Sequence, residues 1–206
     1  MSNTAVYNML RTAGMTKEGA CAMLGNMAAE SAMRSNNAQD VYGVVDEDYT
    51  AATDMGANNF VGDSIGYGLC QWTLASRKQK LLNYARQQGV SVGDEMMQVN
   101  FCIKELRDDF PDIWKTLTTS HDLMHCTQLV LNVYENPAIK NLGTRLDYAR
   151  QAQAAFESGQ PPDADHFAEV RNMPDITGAL GLLADYLKTA EFAAGLKKYI
   201  EEALKK

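Results

Sequence analysis

The chain has 206 residues, of which 46% are hydrophobic, and its formal net charge is −7 at pH 7. This length and composition allow one domain with a buried core and a small appendage, and the negative charge argues against general binding to nucleic acid. No stretch approaches the ~20 apolar residues of a membrane span. The opening MSNTAVYNML lacks the basic start and apolar run of a signal peptide. We therefore expect the protein to stay in the cytoplasm in which it is made until something else releases it.

Helical periodicity begins with residues 4–13, and Thr16 can cap a second helix that ends near residue 31. The apolar face of this second helix is made by Ala20, Met23, Leu24, Met27 and Ser31.

Glu30 lies at the edge of this face and in the last helical turn, where the negative end of the helix dipole disfavours a carboxylate. Both placements penalise the charged form, which suits a general acid that works near neutral pH. Two ordinary interpretations stay open: a solvated glutamate at a frayed helix end, or an ion-pair partner of Arg34.

Residues 41–73 change character, because β-branched and aromatic residues alternate there with Gly and Asn. This pattern predicts a small antiparallel sheet or a long hairpin with loops.

Helical patterns return from residue 76 and end before Gly89. Asp94 can cap the next helix, which the pair Phe110-Pro111 ends, and Asp122 can begin another that ends near residue 135. A last helix of this domain is predicted over residues 142–157.

The chain therefore divides into a domain at 1–157, a linker at 158–172 that contains SGQPPDAD, and a C-terminal helical hairpin at 173–206. The hairpin is too small to bury both of its apolar stripes alone. It packs back on the domain, mediates homo-oligomers, or attaches to anionic wall polymers through its lysines. The fold class is α+β, mainly α, and the small β region faces Glu30 across a cleft.

Five motifs in this order carry a resemblance: GNMAAES at 25–31, YTAATDMG at 49–56, NFVGDSIGYGLCQWT at 59–73, SRKQKLL at 76–82 and VYENP at 133–137, which Arg145 and Ala149 follow. Together they resemble the phage tail lysozyme family, within the lysozyme-like superfamily, over about residues 3–156. The resemblance implies a lysozyme-like fold, a phage or prophage origin, and cleavage of bacterial peptidoglycan between N-acetylmuramic acid and N-acetylglucosamine. It also implies that Glu30 is the essential glutamate of the site.

By the same resemblance, GYGLCQWT corresponds to a strand that faces Glu30 and holds the sugar or the attacking water. Glycines allow a polysaccharide to approach the backbone, and aromatic faces stack on sugar rings or belong to the core. The substrate-binding residues expected there are Gly66, Tyr67, Gly68, Gln71 and Trp72.

Glycoside hydrolysis commonly uses a second carboxylate, and Asp54 and Asp63 are the leading candidates because they lie inside family-like motifs. Either can instead cap a tight turn. Glu135 is interpreted as structural, at a helix end and paired with Arg145. Without a second carboxylate, the enzyme would act with Glu30 alone, through an activated water or as a lytic transglycosylase.

Two other motif matches are weaker. Residues 62–66 fit GxSxG, but the serine-hydrolase elbow needs a strand–turn–helix context in a parallel sheet, which is not predicted here. His121 and His125 have the spacing of zinc ligands on a helix, but the sequence indicates no third ligand beyond the isolated His166. The four cysteines form no CxxC pair and lie in apolar contexts, so we expect buried free thiols rather than disulfides or zinc ligands.

The function predicted from these observations is a lysozyme-type glycosidase that needs no metal or cofactor. Its partner is peptidoglycan, and it is either an endolysin held in the host cytoplasm or a component of the virion tail, with the shortness of the chain favouring the endolysin. A non-catalytic wall-binding or tail-structural module is the alternative from another class.

Overall fold

The structure is a computed structural model that describes residues 3–39 and 43–158. These residues form helices joined by turns, with a longer connection of turns and irregular backbone at 55–74. Their bounds are α1 Asn3–Thr12, α2 Lys17–Ser31, α3 Asp46–Asp54, α4 Ala75–Gln88, α5 Glu95–Asp109, α6 Pro111–Thr119, α7 Leu123–Leu129 and α8 Leu142–Ser158, with a π-helical segment at Val130–Glu135. The linker and the C-terminal hairpin expected beyond residue 158 lie outside the described residues.

Helix α2 lies at the centre of the helical packing, in contact with α1, α6, α7, the π-helical segment and α8. Thr16 caps it as predicted, because its hydroxyl accepts a hydrogen bond from the Gly19 amide. Two glycines let neighbouring chain approach closely. A Cβ at Gly19 would lie 2.1 Å from the Leu117 carbonyl oxygen, and one at Gly25 would lie 2.4 Å from that of Arg145. All faces of the middle of α2 are buried, not only the predicted apolar stripe.

The prediction of a small antiparallel sheet or long hairpin over residues 41–73 is wrong. Residues 46–54 form α3, and the described part of the region contains two isolated β-bridges in place of a sheet, from Tyr67 to Ala38 and to Trp72. Acidic residues at 46–48 occupy the first turn of α3, where they favour a helix N-terminus. The hydroxyl of Thr50 donates to the carbonyl of residue 46 within the helix, so a residue that suggested a strand is accommodated in a helix.

Most other helices begin and end within two residues of their predicted bounds. The exception is α6, which was not predicted, because the pair Phe110-Pro111 was interpreted only as the end of α5. Proline also fits the first turn of a new helix, where its missing N–H is not needed, and Pro111 begins α6 in this way. The predicted helix after Asp122 starts as expected, since Asp122 caps it, but its last part becomes π-helical.

Cys21, Cys70, Cys102 and Cys126 are buried free thiols, as predicted. None of the helices in the described part of the chain is long and apolar enough to cross a membrane.

Candidate active site

A cleft of about 820 Å³ lies at the carboxyl-terminal end of α2 and contains Glu30. The other walls come from the turn after residue 69, the start of α4 and the π-helical segment with the residues that follow it. Four of the five motifs that carry the family resemblance, all except YTAATDMG, therefore meet at one cavity. Its polar lining includes Glu30, Gln39, Ser64, Gln71, Arg77 and Glu135.

Glu30 is held by a buried arginine from α8. Arg145 Nη2 donates to Glu30 Oε1 at 2.6 Å, and its Nη1 donates to the Asn26 side-chain oxygen at 3.1 Å. The Glu30 side chain retains 14% of its exposure, whereas that of Arg145 retains 6%. The alternative pairing with Arg34 is not formed, because Arg34 pairs with Asp46 at 2.8 Å.

The GYGLCQWT segment forms a closed turn rather than a strand. The Tyr67 and Trp72 backbones exchange two hydrogen bonds, of 3.2 and 2.9 Å. Gly68, at φ +74°, leaves no room for a Cβ, which would lie 2.5 Å from Gln98 Oε1. That oxygen accepts a hydrogen bond from the Leu69 amide at 2.9 Å, so Gln98 holds the turn in place.

Gln71 lies on the cleft wall, as predicted, and its backbone has φ +45°. Its side-chain amide donates to the backbone oxygen of Asn37 at 3.1 Å and to that of Gly68 at 3.1 Å. The Gly66 amide donates to Gln39 Oε1 at 3.1 Å, which places this glycine behind Gln39. Gly66 and Gly68 therefore shape the wall without lining the cleft.

Tyr67 and Trp72 do not offer aromatic faces to a sugar, because both side chains are fully buried. The Tyr67 hydroxyl lies 2.7 Å from the Thr50 hydroxyl, and its ring packs edge-on against Phe60. Trp72 packs against Phe101. The core interpretation is the correct one for both residues.

Asp54 and Asp63, the two candidates for a second carboxylate, lie outside the lining of this cleft. Asp54 Oδ1 accepts a hydrogen bond from the Val92 amide at 2.8 Å. Asp63 forms an ion pair with the fully buried Lys78 and accepts hydrogen bonds from the Tyr49 hydroxyl at 2.7 Å and from the Ile65 amide at 3.1 Å. Asp63 thus caps its own turn, which is the alternative role expected for either residue, whereas Asp54 binds the distant turn that contains Val92.

A buried carboxylate that the sequence analysis missed lies behind the cleft. Glu105 Oε2 accepts hydrogen bonds from Trp72 Nε1 at 3.0 Å, the Tyr134 hydroxyl at 2.7 Å and Arg77 Nη2 at 2.7 Å. Arg77 Nη1 also donates to the Tyr134 carbonyl at 3.1 Å. This network ties the closed turn, α4 and the π-helical segment together. The sequence held one signal of it, since Glu105 is three residues after Cys102, on the apolar stripe of α5.

Glu135 is the second carboxyl group in the cleft lining. Its Oε1 is buried and has no hydrogen-bond partner among the described residues, and the expected pairing with Arg145 is replaced by the pair with Glu30. Burial raises the pKa of Glu135 well above its usual range, and the negative charge of Glu30 raises it further, while Arg77 is the main opposing influence. Glu135 therefore favours its protonated form.

Backbone strain is concentrated around this cleft. Four non-glycine residues of the described chain have positive φ. Ala32 and Met33 follow the end of α2, whereas Gln71 and Asn136 line the cleft. Residues held in this conformation cluster at functional sites, where the surrounding structure compensates their cost.

The structure does not support a serine-hydrolase elbow at residues 62–66 or a zinc site at His121 and His125. Residues 62–66 lie in turns, without the strand and helix that a nucleophile elbow requires. His121 Nδ1 lies 3.1 Å from Glu18 Oε2, and the described residues contain no cluster of three side chains that could hold a metal ion.

The part of the chain that resembles known proteins is the part that contains the cleft. The family model described as phage tail lysozyme matches residues 2–156. The chain is also similar to Morphogenesis protein 1 of Bacillus phage B103, with 28% identity over 156 residues that cover 69% of this chain. The chain spans 36% of the length of that relative. Since the family model matches most of the chain, including every wall of the cleft, the chain belongs to the phage tail lysozyme family.

Proposed function

We propose that this chain cleaves the glycan strand of bacterial peptidoglycan between N-acetylmuramic acid and N-acetylglucosamine, with Glu30 as the general acid. The proposal is carried by the position of Glu30, which is half-buried in a cleft lined by three of the other family-like motifs. Cleavage needs a proton at the leaving oxygen and either a water or a hydroxyl of the same sugar at the anomeric carbon. Membership in the family supports a peptidoglycan-lytic phage protein.

We further propose that the chain acts as part of the virion. The shortness of the chain favours an endolysin, but the similar protein of Bacillus phage B103 is named a morphogenesis protein. This name favours a part in building the phage particle, and we infer that a wall-cleaving component of the particle acts during entry. Mass spectrometry of purified virions tests whether the chain is a component of the particle, because an endolysin would be absent from washed particles.

The activity is tested by mass spectrometry of the soluble fragments released from purified peptidoglycan. We expect new reducing N-acetylmuramic acid ends from the wild type and a loss of about 10²–10⁴-fold in Glu30→Gln. Glu157→Gln is the matched control, because this glutamate is exposed and pairs with Lys17 on the surface.

Other outcomes separate the remaining alternatives. Anhydro ends would identify a lytic transglycosylase. New amino ends without sugar ends would contradict glycan cleavage. Wall binding without any released fragment would identify a non-catalytic module, and equal release by the wild type and Glu30→Gln would exclude Glu30 as the essential acid.

A further inference from the structure

We propose that Glu135 is a second catalytic carboxyl group, and that it forms with Glu30 an acid pair that holds a single proton, located on Glu135 in the free enzyme. This inference rests on the proposed function and deepens it. It assigns the second carboxylate to the π-helical segment instead of to the region of residues 46–63.

The first argument is position. Glu135 is the last residue of the π-helical segment, and Asn136 leaves that segment with φ +44°. The hydrogen bonds of Arg77 and Glu105 to Tyr134 hold the preceding residue in place. Glu135 is therefore presented to the cleft by a rigid, buried support, as a preorganised catalytic group requires.

The second argument is the unequal surroundings of the two carboxyl groups. Glu30 Oε1 receives a charge-assisted hydrogen bond from Arg145, whereas Glu135 Oε1 is buried without a partner. Glu135 as a whole is only half-buried, but a carboxyl oxygen that is buried without a partner makes the charged form costly and favours the protonated one. Carboxyl pairs whose surroundings separate their protonation states are typical of glycosidase sites.

The chemistry of the pair balances with one proton. When the glycan is bound, the proton passes from Glu135 to Glu30, and Glu30 gives it to the glycosidic oxygen as the bond from that oxygen to the anomeric carbon breaks. A water that adds to the anomeric carbon then returns a proton to the pair. If a hydroxyl of the same sugar attacks instead, the proton of that hydroxyl returns to the pair and an anhydro sugar is formed.

A merely structural Glu135 is the competing explanation. Such a residue would support the cleft wall without exchanging a proton, and its replacement would change activity only through stability or substrate affinity. Glutamine retains the shape of the protonated side chain, so Glu135→Gln should preserve the fold and remove the proton.

The test measures kcat and KM on solubilised peptidoglycan strands from roughly pH 4 to pH 9, together with thermal unfolding. We expect Glu135→Gln to lower kcat by about 10²-fold or more, to leave KM within about threefold, and to lose the alkaline limb of the pH profile. Glu135→Asp should regain part of kcat with an alkaline limb at a shifted pH. Asn132→Ala is the matched control, because Asn132 lies on the same segment but outside the cleft lining.

Wild-type kcat and an unchanged alkaline limb in Glu135→Gln would overturn the inference. The inference would also be overturned if the activity of Glu135→Gln fell only through a higher KM or a lower melting temperature. It would be overturned as well if Glu135→Asp regained none of the lost kcat. If Glu135→Gln fails to fold, the pH profile of Glu135→Asp decides, and a limb identical to that of the wild type overturns the inference. A wild type that releases no sugar ends contradicts the proposed function itself, whereas loss in Glu30→Gln without loss in Glu135→Gln contradicts only the role of Glu135.

Discussion

At the scale of single residues, the cleft contrasts a carboxylate that has a charged partner with one that has none. Glu30 accepts from Arg145, and Arg145 is in turn oriented by Asn26 from the same helix as Glu30. Glu135 receives no such hydrogen bond at Oε1. Which of the two glutamates has a charged partner depends on where the guanidinium of Arg145 lies in the fold. The spacing of these residues along the chain does not predict this position.

This difference predicts how stability depends on pH. The pKa of Glu135 is raised in the folded protein by burial, so the folded state binds more protons than the unfolded state above the ordinary glutamate pKa. The contribution of Glu135 to stability is therefore complete below that ordinary value and is lost as the pH rises toward the raised one. We expect Glu135→Gln to become more stable relative to the wild type from pH 5 to pH 8, in urea unfolding. A stability difference that stays constant over this range would contradict a buried, proton-holding Glu135.

At the scale of elements, the close crossing of α2 and α8 brings Glu30 and Arg145 together. A Cβ on Gly25 would lie 2.4 Å from the Arg145 carbonyl oxygen and 2.8 Å from the Ala149 side chain. The helices can therefore approach this closely only with glycine at position 25.

Gly25→Ala should force α8 away from α2. In an open helix, alanine would be favoured over glycine by about 1 kcal/mol, but the overlap should instead lower the free energy of unfolding by about 1–3 kcal/mol. We also expect reduced glycan release, since Arg145 moves with its helix. Gly143→Ala is the control, because a Cβ there meets only Asn141 Oδ1 at 3.7 Å and should be tolerated. Urea unfolding of both variants checks this, and equal stability of Gly25→Ala and the wild type would show that the crossing is not close.

At the scale of the whole molecule, the four thiols report on the integrity of the core. They lie in α2, in the closed turn, in α5 and in α7, and all are buried. Burial raises the pKa of Cys21 to about 12 and also raises the pKa values of Cys70 and Cys126. Thiolates are the reactive form, so burial protects all four thiols, and the raised pKa values protect Cys21, Cys70 and Cys126 further.

We expect the native protein to react with a thiol reagent at pH 8 at least about 10²-fold more slowly than glutathione, and all four cysteines to react after unfolding in guanidinium. Spectrophotometric titration of the released chromophore measures both rates. A thiol that reacts rapidly in the native state would show that the core opens locally at that cysteine.

The local pattern of the sequence determined most of the helices, the burial of the cysteines and the position of Glu30 at the end of α2. These features depend on periodicity, caps and turn residues, which act over a few positions of the chain. The family-like motifs also indicated that Glu30, the GYGLCQWT segment and VYENP belong together, and the cleft joins them.

Only the tertiary structure decided what lies next to Glu30. A helix, α3, forms where aromatic and β-branched residues had indicated strands, and the side chains of Tyr67 and Trp72 are buried. Asp54 and Asp63 have partners outside the cleft. Arg145, and no other cation, pairs with Glu30 among the described residues. These results depend on contacts between residues far apart in the chain, such as the 115 positions that separate Glu30 from Arg145. Partners at such separations are selected by the packing of whole helices, which no local pattern of residues specifies.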